Sequence, residues 1–267
     1  MKLVHSFNTK NCKGDKLKVN VWCFALSCLY AKRSGFKIVL HTDKKGAELL
    51  KSAPYDKIIV DLEDQISPRP RIFAWPKFKA LQNEDEGAIH IDGDVFLKKG
   101  ILRKLMKFDD CDIIVQSKEI KGMYQYGYLW EESTQSFAHC EYPSFLPRRC
   151  KTMYNCGVIG FKDKKLWEEY NKWYWYLIDQ YNCLGIDMCS VPDLIAEQQL
   201  LYEFAKHKNL KVRELINFES IQDSAKEIGY QHLLGSAKFR NLDKIKQILK
   251  AMDINIYNKL EEIKWDI

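Results

Sequence analysis

Apolar residues along the N-terminal half fall into short compact runs, separated by stretches with helical spacing. LVHSF at 3–7 reads as a strand. Residues 15–34 place Leu17, Val21, Phe24, Leu26, Cys28 and Leu29 at helical intervals, and Gly35 supplies a stop. KIVLHTD at 37–43 is an apolar run with a polar end, the pattern of a buried parallel strand. A short helix over 44–52 follows, then a strand, KIIVDLED, at 57–64. SPRP at 67–70 breaks the pattern before a helix around 72–82. AIHIDGDVFL at 88–97 and DIIVQS at 112–117 read as two further strands.

Strands alternating with helices predict an α/β fold of βαβ units, with a mostly parallel central sheet flanked by helices. Ligands of such sheets bind beyond the carboxyl ends of the strands. The polar strand ends, His5-Ser6, Thr42-Asp43 and Asp92-Gly93-Asp94, are therefore expected along one edge. Residues 1–117 form a nucleotide-binding half on this reading, without a GxGxxG or P-loop motif. Residues 118–150 are rich in Tyr, Trp and Pro; Tyr124, Tyr126, Tyr128 and Trp130 alternate there, as in a half-buried strand or an acceptor-binding lid. YNCGVIGF at 154–161 returns to strand character, and helices are expected over 167–182 and 192–207, with Pro192 in the first turn of the second. Residues 118–240 then make an acceptor and sugar half, and 241–267 carry C-terminal helices at 241–251 and 255–265. With no repeat or linker, 1–267 is expected to be a single domain.

Composition narrows the classes. Of 267 residues, 46% are hydrophobic and 29% charged, a globular balance. The net charge of +6 favours phosphorylated small molecules or peripheral contact with an anionic membrane. It does not call for nucleic acid, because 36 acidic residues are mixed among 42 basic ones. The run Val21 to Ala31 is too short to cross a bilayer, and MKLVHSFN lacks the apolar core of a signal peptide. Nine cysteines without a C-x-x-C pair argue against a zinc site or a secreted disulfide framework; reduced thiols in a cytoplasmic protein fit better.

The chemistry centres on Asp92-Gly93-Asp94. Two carboxylates at i and i+2 after an apolar strand suit Mg²⁺ or Mn²⁺, ions that also bind phosphate oxygens; a plain strand end or Asx-turn is the competing reading. Far downstream, GYQHLLGSAKF spaces His232, Gly235 and Lys238 as H-x-x-G-x-x-K. An imidazole is a good third ligand beside two carboxylates, a glycine lets backbone approach a diphosphate, and a lysine neutralises charge on a departing diphosphate. Taken singly, His232 is also an ordinary loop histidine and Lys238 a surface charge.

With both motifs in place, the chain resembles GT-A-fold, Rossmann-like glycosyltransferases, in motif layout those of glycosyltransferase family 8, the glycogenin and bacterial galactosyltransferase group. The resemblance implies that His5 and Ser6 meet the nucleoside and that Thr42-Asp43 is the related T-D strand end. It places Asp92, Asp94 and His232 on the metal and Lys238 on the diphosphate, with Gly93 and Gly235 beside them. YNCGVIGF is similar to an N-x-G-V strand, implying Asn155 and Gly157 near the sugar. AEQQLL is similar to an acidic-Gln helix, implying Glu197 and Gln198 under the donor sugar. The family's usual Asp-Gln-Asp is here Glu197-Gln198-Gln199, Phe239-Arg240 stand where Pro-Trp is common, and Lys77 or Lys79 replaces the usual Arg before D-x-D. The function implied is metal-dependent transfer, with retention, from a nucleotide-diphosphate sugar such as a UDP-sugar. Its acceptor would be a hydroxyl on a saccharide, glycolipid or protein.

Each candidate keeps a structural alternative. Asn155 could bond backbone at a strand end, Glu197 could form a salt bridge, and Lys77 and Lys79 could be surface charges. Two rival functions share the fold: a catalytically inactive nucleotide-binding protein, and a sugar nucleotidyltransferase. The latter usually has a Gly-rich basic loop after its first strand; NTKNCKGDK contains one Gly before Asp15.

Overall fold

A computed structural model describes residues 2–63, 73–85, 87–98, 110–120, 143–146, 152–183, 194–217 and 229–265. The aromatic alternation at 124–130, SPRP and Pro192 lie outside the described residues.

The fold is mixed α/β, with a central sheet flanked by helices and further helices at the C-terminal end. Nine strands are described: β1 (Lys2–Phe7), β2 (Lys37–Thr42), β3 (Lys57–Val60), β4 (Ala88–Ile91), β5 (Val95–Leu97), β6 (Ile113–Ile120), β7 (Thr152–Phe161), β8 (Val212–Glu214) and β9 (Tyr230–His232). Seven of them form the main sheet in the order β3-β2-β1-β4-β7-β6-β8. All its pairings are parallel except β4 with β7 and β6 with β7, so β7 alone runs against the rest. The expected mostly parallel sheet is present.

The helices are α1 (Gly14–Arg33), α2 (Lys44–Leu50), α3 (Trp75–Gln82), α4 (Lys164–Cys183), α5 (Leu200–His207), α6 (Ala237–Arg240), α7 (Leu242–Met252) and α8 (Ile254–Glu261). A wide π-type stretch, Leu194–Gln199, leads into α5 where the sequence pattern predicts regular helix. Such stretches concentrate at functional sites.

Side chains alternate across each strand, so the sheet separates two apolar layers. Leu3 and Phe7 of β1 pack with Trp22 and Phe24 of α1 and, at the chain end, with Ile245, Leu249 and Leu260 of α7 and α8. Val4 faces the other way, into the layer of Trp75 and Phe78 of α3, Tyr170 and Tyr174 of α4, and Phe204 of α5. The Phe78 and Tyr174 rings stack at 3.4 Å between centroids. Cys23 and Cys28 are free, buried thiols within α1. Among the described residues no helix is long and apolar enough to cross a membrane.

Two differences from the sequence pattern shape the site. The run AIHIDGDVFL is not one strand: the main sheet stops at Ile91, and the N–H of Val95 donates to the carbonyl of Asp92 at 3.0 Å, closing a turn over Gly93. β5 then leaves the main sheet and pairs antiparallel with β9, Val95 opposite His232. Between β6 and β7, Val115 faces Ile159 whereas Ser117 faces Asn155, so β7 carries extra residues around Gly157. Bulges of this kind re-aim side chains next to active sites.

Candidate functional site

The turn after β4 and the pairing of β5 with β9 bring distant residues together. Asp92, Asp94 and His232 each offer a ligand atom, and these atoms lie within 4.8 Å of one another. His232 Nε2 is 3.3 Å from Asp94 Oδ1, and Lys238 Nζ donates to Asp94 Oδ2 at 3.0 Å. Burial alone would raise the Asp94 carboxyl, but His232 and Lys238 outweigh it and hold the group well below the usual carboxylate range. Burial alone would lower Lys238; Asp94 raises it above the ordinary lysine value. The other ring nitrogen of His232, Nδ1, meets Gln116 Oε1 at 2.7 Å, and the Tyr230 hydroxyl donates to the same oxygen at 2.6 Å. With Gln116 Oε1 accepting from Nδ1–H, the nitrogen of His232 that faces Asp94 is Nε2, the one whose proton a bound metal would replace.

Close packing fixes this arrangement. A Cβ on Gly157 would meet Gln116 Oε1 at 2.4 Å and His232 Cε1 at 2.6 Å, and one on Gly93 would meet the Phe24 ring at 2.4 Å. Both glycines are there because neighbouring rings and amides occupy the space of any side chain. Gly235 has a φ of +55° in the exposed loop between β9 and α6.

A second cluster adjoins the first. Lys77, on α3, is buried; its ammonium donates to the Cys156 carbonyl at 2.8 Å and to Glu197 Oε1 at 2.5 Å, and lies 3.0 Å from Asp92 Oδ1. Burial would lower this lysine, but Asp92 and Glu197 together raise it above its ordinary value. Glu197 sits in the π-type stretch with 1% of its side chain exposed. Burial pushes its carboxyl up, against the pull of Lys77. Gln198 is half-buried and hydrogen-bonds the Glu197 carboxylate. The salt-bridge reading of Glu197 and the site reading of Lys77 are thus joined in one contact. Lys79 points elsewhere, over the Trp175 ring at 6.0 Å. Asn155 donates to Glu119 Oε1 at 2.6 Å and accepts the Gly157 N–H at 2.9 Å, bracing the bulge behind His232.

The remaining sequence candidates are placed differently. His5 is fully buried in the α1 layer, with Nδ1 at 2.8 Å from the Tyr55 hydroxyl and Nε2 at 3.1 Å from Ser27 Oγ. Desolvation lowers it to about 3, so it is a neutral packing histidine. Thr42 donates to the Phe7 carbonyl at 2.6 Å. Asp43 caps α2 through the Gly46 N–H at 2.7 Å and accepts from the Thr9 N–H and hydroxyl at 2.7 and 2.8 Å. Thr42 and Asp43 therefore shape the strand-end loops and do not join the carboxylate cluster. Ser6, on the other face of β1 from His5, is half-buried and reaches His90 Nε2 at 2.8 Å.

Sequence reasoning passed over His90, Gln116 and Glu119. His90 lies two residues before Asp92 and shares its side of β4, a signal present in I-H-I-D. Gln116 is a polar residue inside an otherwise buried strand, the second available signal. Glu119 stands beyond the expected end of β6 and had none.

A family profile described as "Family of unknown function (DUF6734)" matches residues 1–263. The chain belongs to this family. No curated protein matches it significantly. Among solved structures it is similar to a galactosyltransferase, LgtC, in complex with donor and acceptor sugar analogues, at 14% identity over 73% of this chain and 70% of that one, TM-score 0.41. It is also similar to mouse xyloside xylosyltransferase 1, at 12% identity over 80% and 84% of the two chains, TM-score 0.44. The inositol-1-phosphate CTP transferase from T. maritima covers more, 98% and 96%, at 13% identity and a TM-score of 0.48. The activities in those descriptions are those of the proteins described.

Proposed function

We propose that this chain is a metal-dependent glycosyltransferase of GT-A type. It would move a sugar from a nucleotide-diphosphate sugar, a UDP-sugar, to an acceptor hydroxyl with retention. The observation that carries the reading is the convergence of Asp92 and Asp94 with His232, far apart in sequence, with ligand atoms within 4.8 Å of one another.

The donor set fits a divalent cation. Two carboxylates and one imidazole match Mn²⁺, or Mg²⁺ with more water in its shell. The three carboxylates Asp92, Asp94 and Glu197 face two ammonium groups, Lys77 and Lys238, leaving negative charge for a cation to balance. Gln116, accepting from Nδ1, leaves His232 Nε2 as the nitrogen available to a metal. A bound cation would supply Lewis-acid stabilisation of the diphosphate leaving group.

The protein's own groups act around that charge. Lys238, half-buried beside Asp94, is positioned to meet negative charge developing on the diphosphate. Lys77 has its ammonium occupied on three sides; its part is to hold Asp92 and Glu197 in place. Gln198, half-buried beside Glu197, would be the amide that meets the donor sugar; Asn155, its amide taken by Glu119 and the Gly157 N–H, would brace the site from behind. Gly235, whose exposed left-handed backbone leads into Lys238, leaves room for phosphate oxygens.

The test is transfer or hydrolysis of UDP-sugars with Mn²⁺ by the parent chain and by Asp92→Asn and Asp94→Asn. Metal-dependent turnover that both variants lose supports the reading. Turnover indifferent to metal, or release of pyrophosphate from CTP or UTP with a sugar phosphate, replaces it with a different enzyme.

A further inference from the structure

His90 is a buried polar residue with half of its hydrogen-bonding capacity idle. It is 2% exposed. Its Nε2 meets Ser6 Oγ at 2.8 Å, whereas no described residue hydrogen-bonds its Nδ1. The nearest acidic atom to that nitrogen is Asp92 Oδ1, at 3.7 Å, the oxygen that also faces Lys77 Nζ at 3.0 Å. Buried imidazole nitrogens are seldom left without a partner, and those that are call for an explanation.

His90 is enclosed with the Ser6 hydroxyl on one ring nitrogen and Asp92 beyond the other. A neutral imidazole has one N–H. Were that proton on Nε2, a lone pair on Nδ1 would face a carboxylate oxygen, an arrangement of like partial charge in a dry site. With the proton on Nδ1, the N–H points at Asp92 and Nε2 accepts from the Ser6 hydroxyl. Electrostatics selects the second tautomer, and Ser6 secures it.

We propose that His90 is a positioning residue: with Lys77 it holds Asp92 Oδ1 inward, so that Asp92 turns Oδ2 toward Asp94 and His232. The inference rests on the metal reading above and adds a residue to it. At 3.7 Å the pair is longer than a hydrogen bond, and the role of His90 requires that separation to shorten in the metal-bound state. Orienting groups behind a metal ligand typically change affinity by about 10–100-fold.

Asparagine and glutamine separate the two nitrogens. Asn places an amide N–H where Nδ1 stands, and Gln places one where Nε2 stands. The experiment is Mn²⁺ titration, followed by electron paramagnetic resonance or calorimetry, of the full chain, His90→Asn and His90→Gln, with circular dichroism melts alongside. His90→Asn is expected to keep parent Mn²⁺ affinity within about threefold, and His90→Gln to lose about 10–100-fold, at similar melting temperatures. Equal affinities for both variants, whether weakened or unchanged, overturn the role of His90 while leaving the metal site standing. Failure of the parent chain to bind Mn²⁺ overturns the metal reading, and this inference with it.

Discussion

Replacing Lys77 with methionine isolates the most buried charge contact of the site. Met matches the length of the lysine stem and removes only the ammonium. Glu197, 1% exposed, then loses its counter-charge, the Cys156 carbonyl loses its donor, and Asp92 loses its inner partner. Breaking a buried pair from one side costs about 3–5 kcal/mol, because the surviving charge stays desolvated. In a chain of this size each kcal/mol lowers the melting temperature by about 2–4 °C, so Lys77→Met is expected to melt about 6–20 °C below the parent. Glu197→Gln costs less, since Lys77 keeps Asp92. In the double variant no charge is stranded between α3 and the π-type stretch, and much of the loss should return. Urea or thermal unfolding of the four proteins gives the coupling energy, expected between about 1 and 3 kcal/mol. A Lys77→Met loss below about 1 kcal/mol, or strict additivity in the cycle, would refute the reasoning; the contact would then behave as a surface pair.

Three further outcomes follow from the same geometry. Gly157→Ala pushes a methyl into Gln116 and His232; overpacking of this kind costs about 1–3 kcal/mol, and Mn²⁺ binding measured by calorimetry should weaken along with the melting temperature. His41 is buried between Asp61 Oδ2 at 2.7 Å and Glu84 Oε1 at 2.8 Å; desolvation alone would lower it, but the two carboxylates raise it above the ordinary value of 6.5. Its contribution is therefore complete below the unfolded pKa of about 6.5 and is lost as pH rises through the higher folded value. Melts from pH 5 upward should show that decline in the parent and a flatter profile in His41→Asn; parallel profiles would contradict it. Asp94, depressed by His232 and Lys238, stabilises the fold above the unfolded carboxylate pKa of about 4; this is lost as pH falls toward the folded value, so Asp94→Asn should flatten the acid limb of the melting profile.

The parts of this molecule that obey local rules were legible from residue order. Compact runs such as KIVLHT are buried on both faces by helices, so their continuity marked parallel strands. The D-x-D turn and H-x-x-G-x-x-K met in space because β5 and β9 pair, a long-range event that no periodicity encodes. The same event explains why AIHIDGDVFL read as one strand: its pattern runs unbroken through Gly93, while the ladder changes partner there. His5 and Ser6 looked equivalent as a strand end. The pleat separates them, sending His5 into the α1 layer and Ser6 toward His90, and only the register of β1 against its neighbours decides which is which. Glu197 and Lys77 were each legible as candidates; their pairing was not, because α3 and the π-type stretch meet only through tertiary packing.

The central claim is that Asp92, Asp94 and His232 form one metal site that serves a nucleotide diphosphate. Its most direct measurement is UDP affinity of the parent chain and of Asp92→Asn, each with Mn²⁺ and with EDTA. Mn²⁺ should tighten UDP binding in the parent by about 5–150-fold, the usual range of coupling between two ligands, and leave Asp92→Asn nearly unchanged. Equal UDP affinity in Mn²⁺ and EDTA for the parent chain would contradict it.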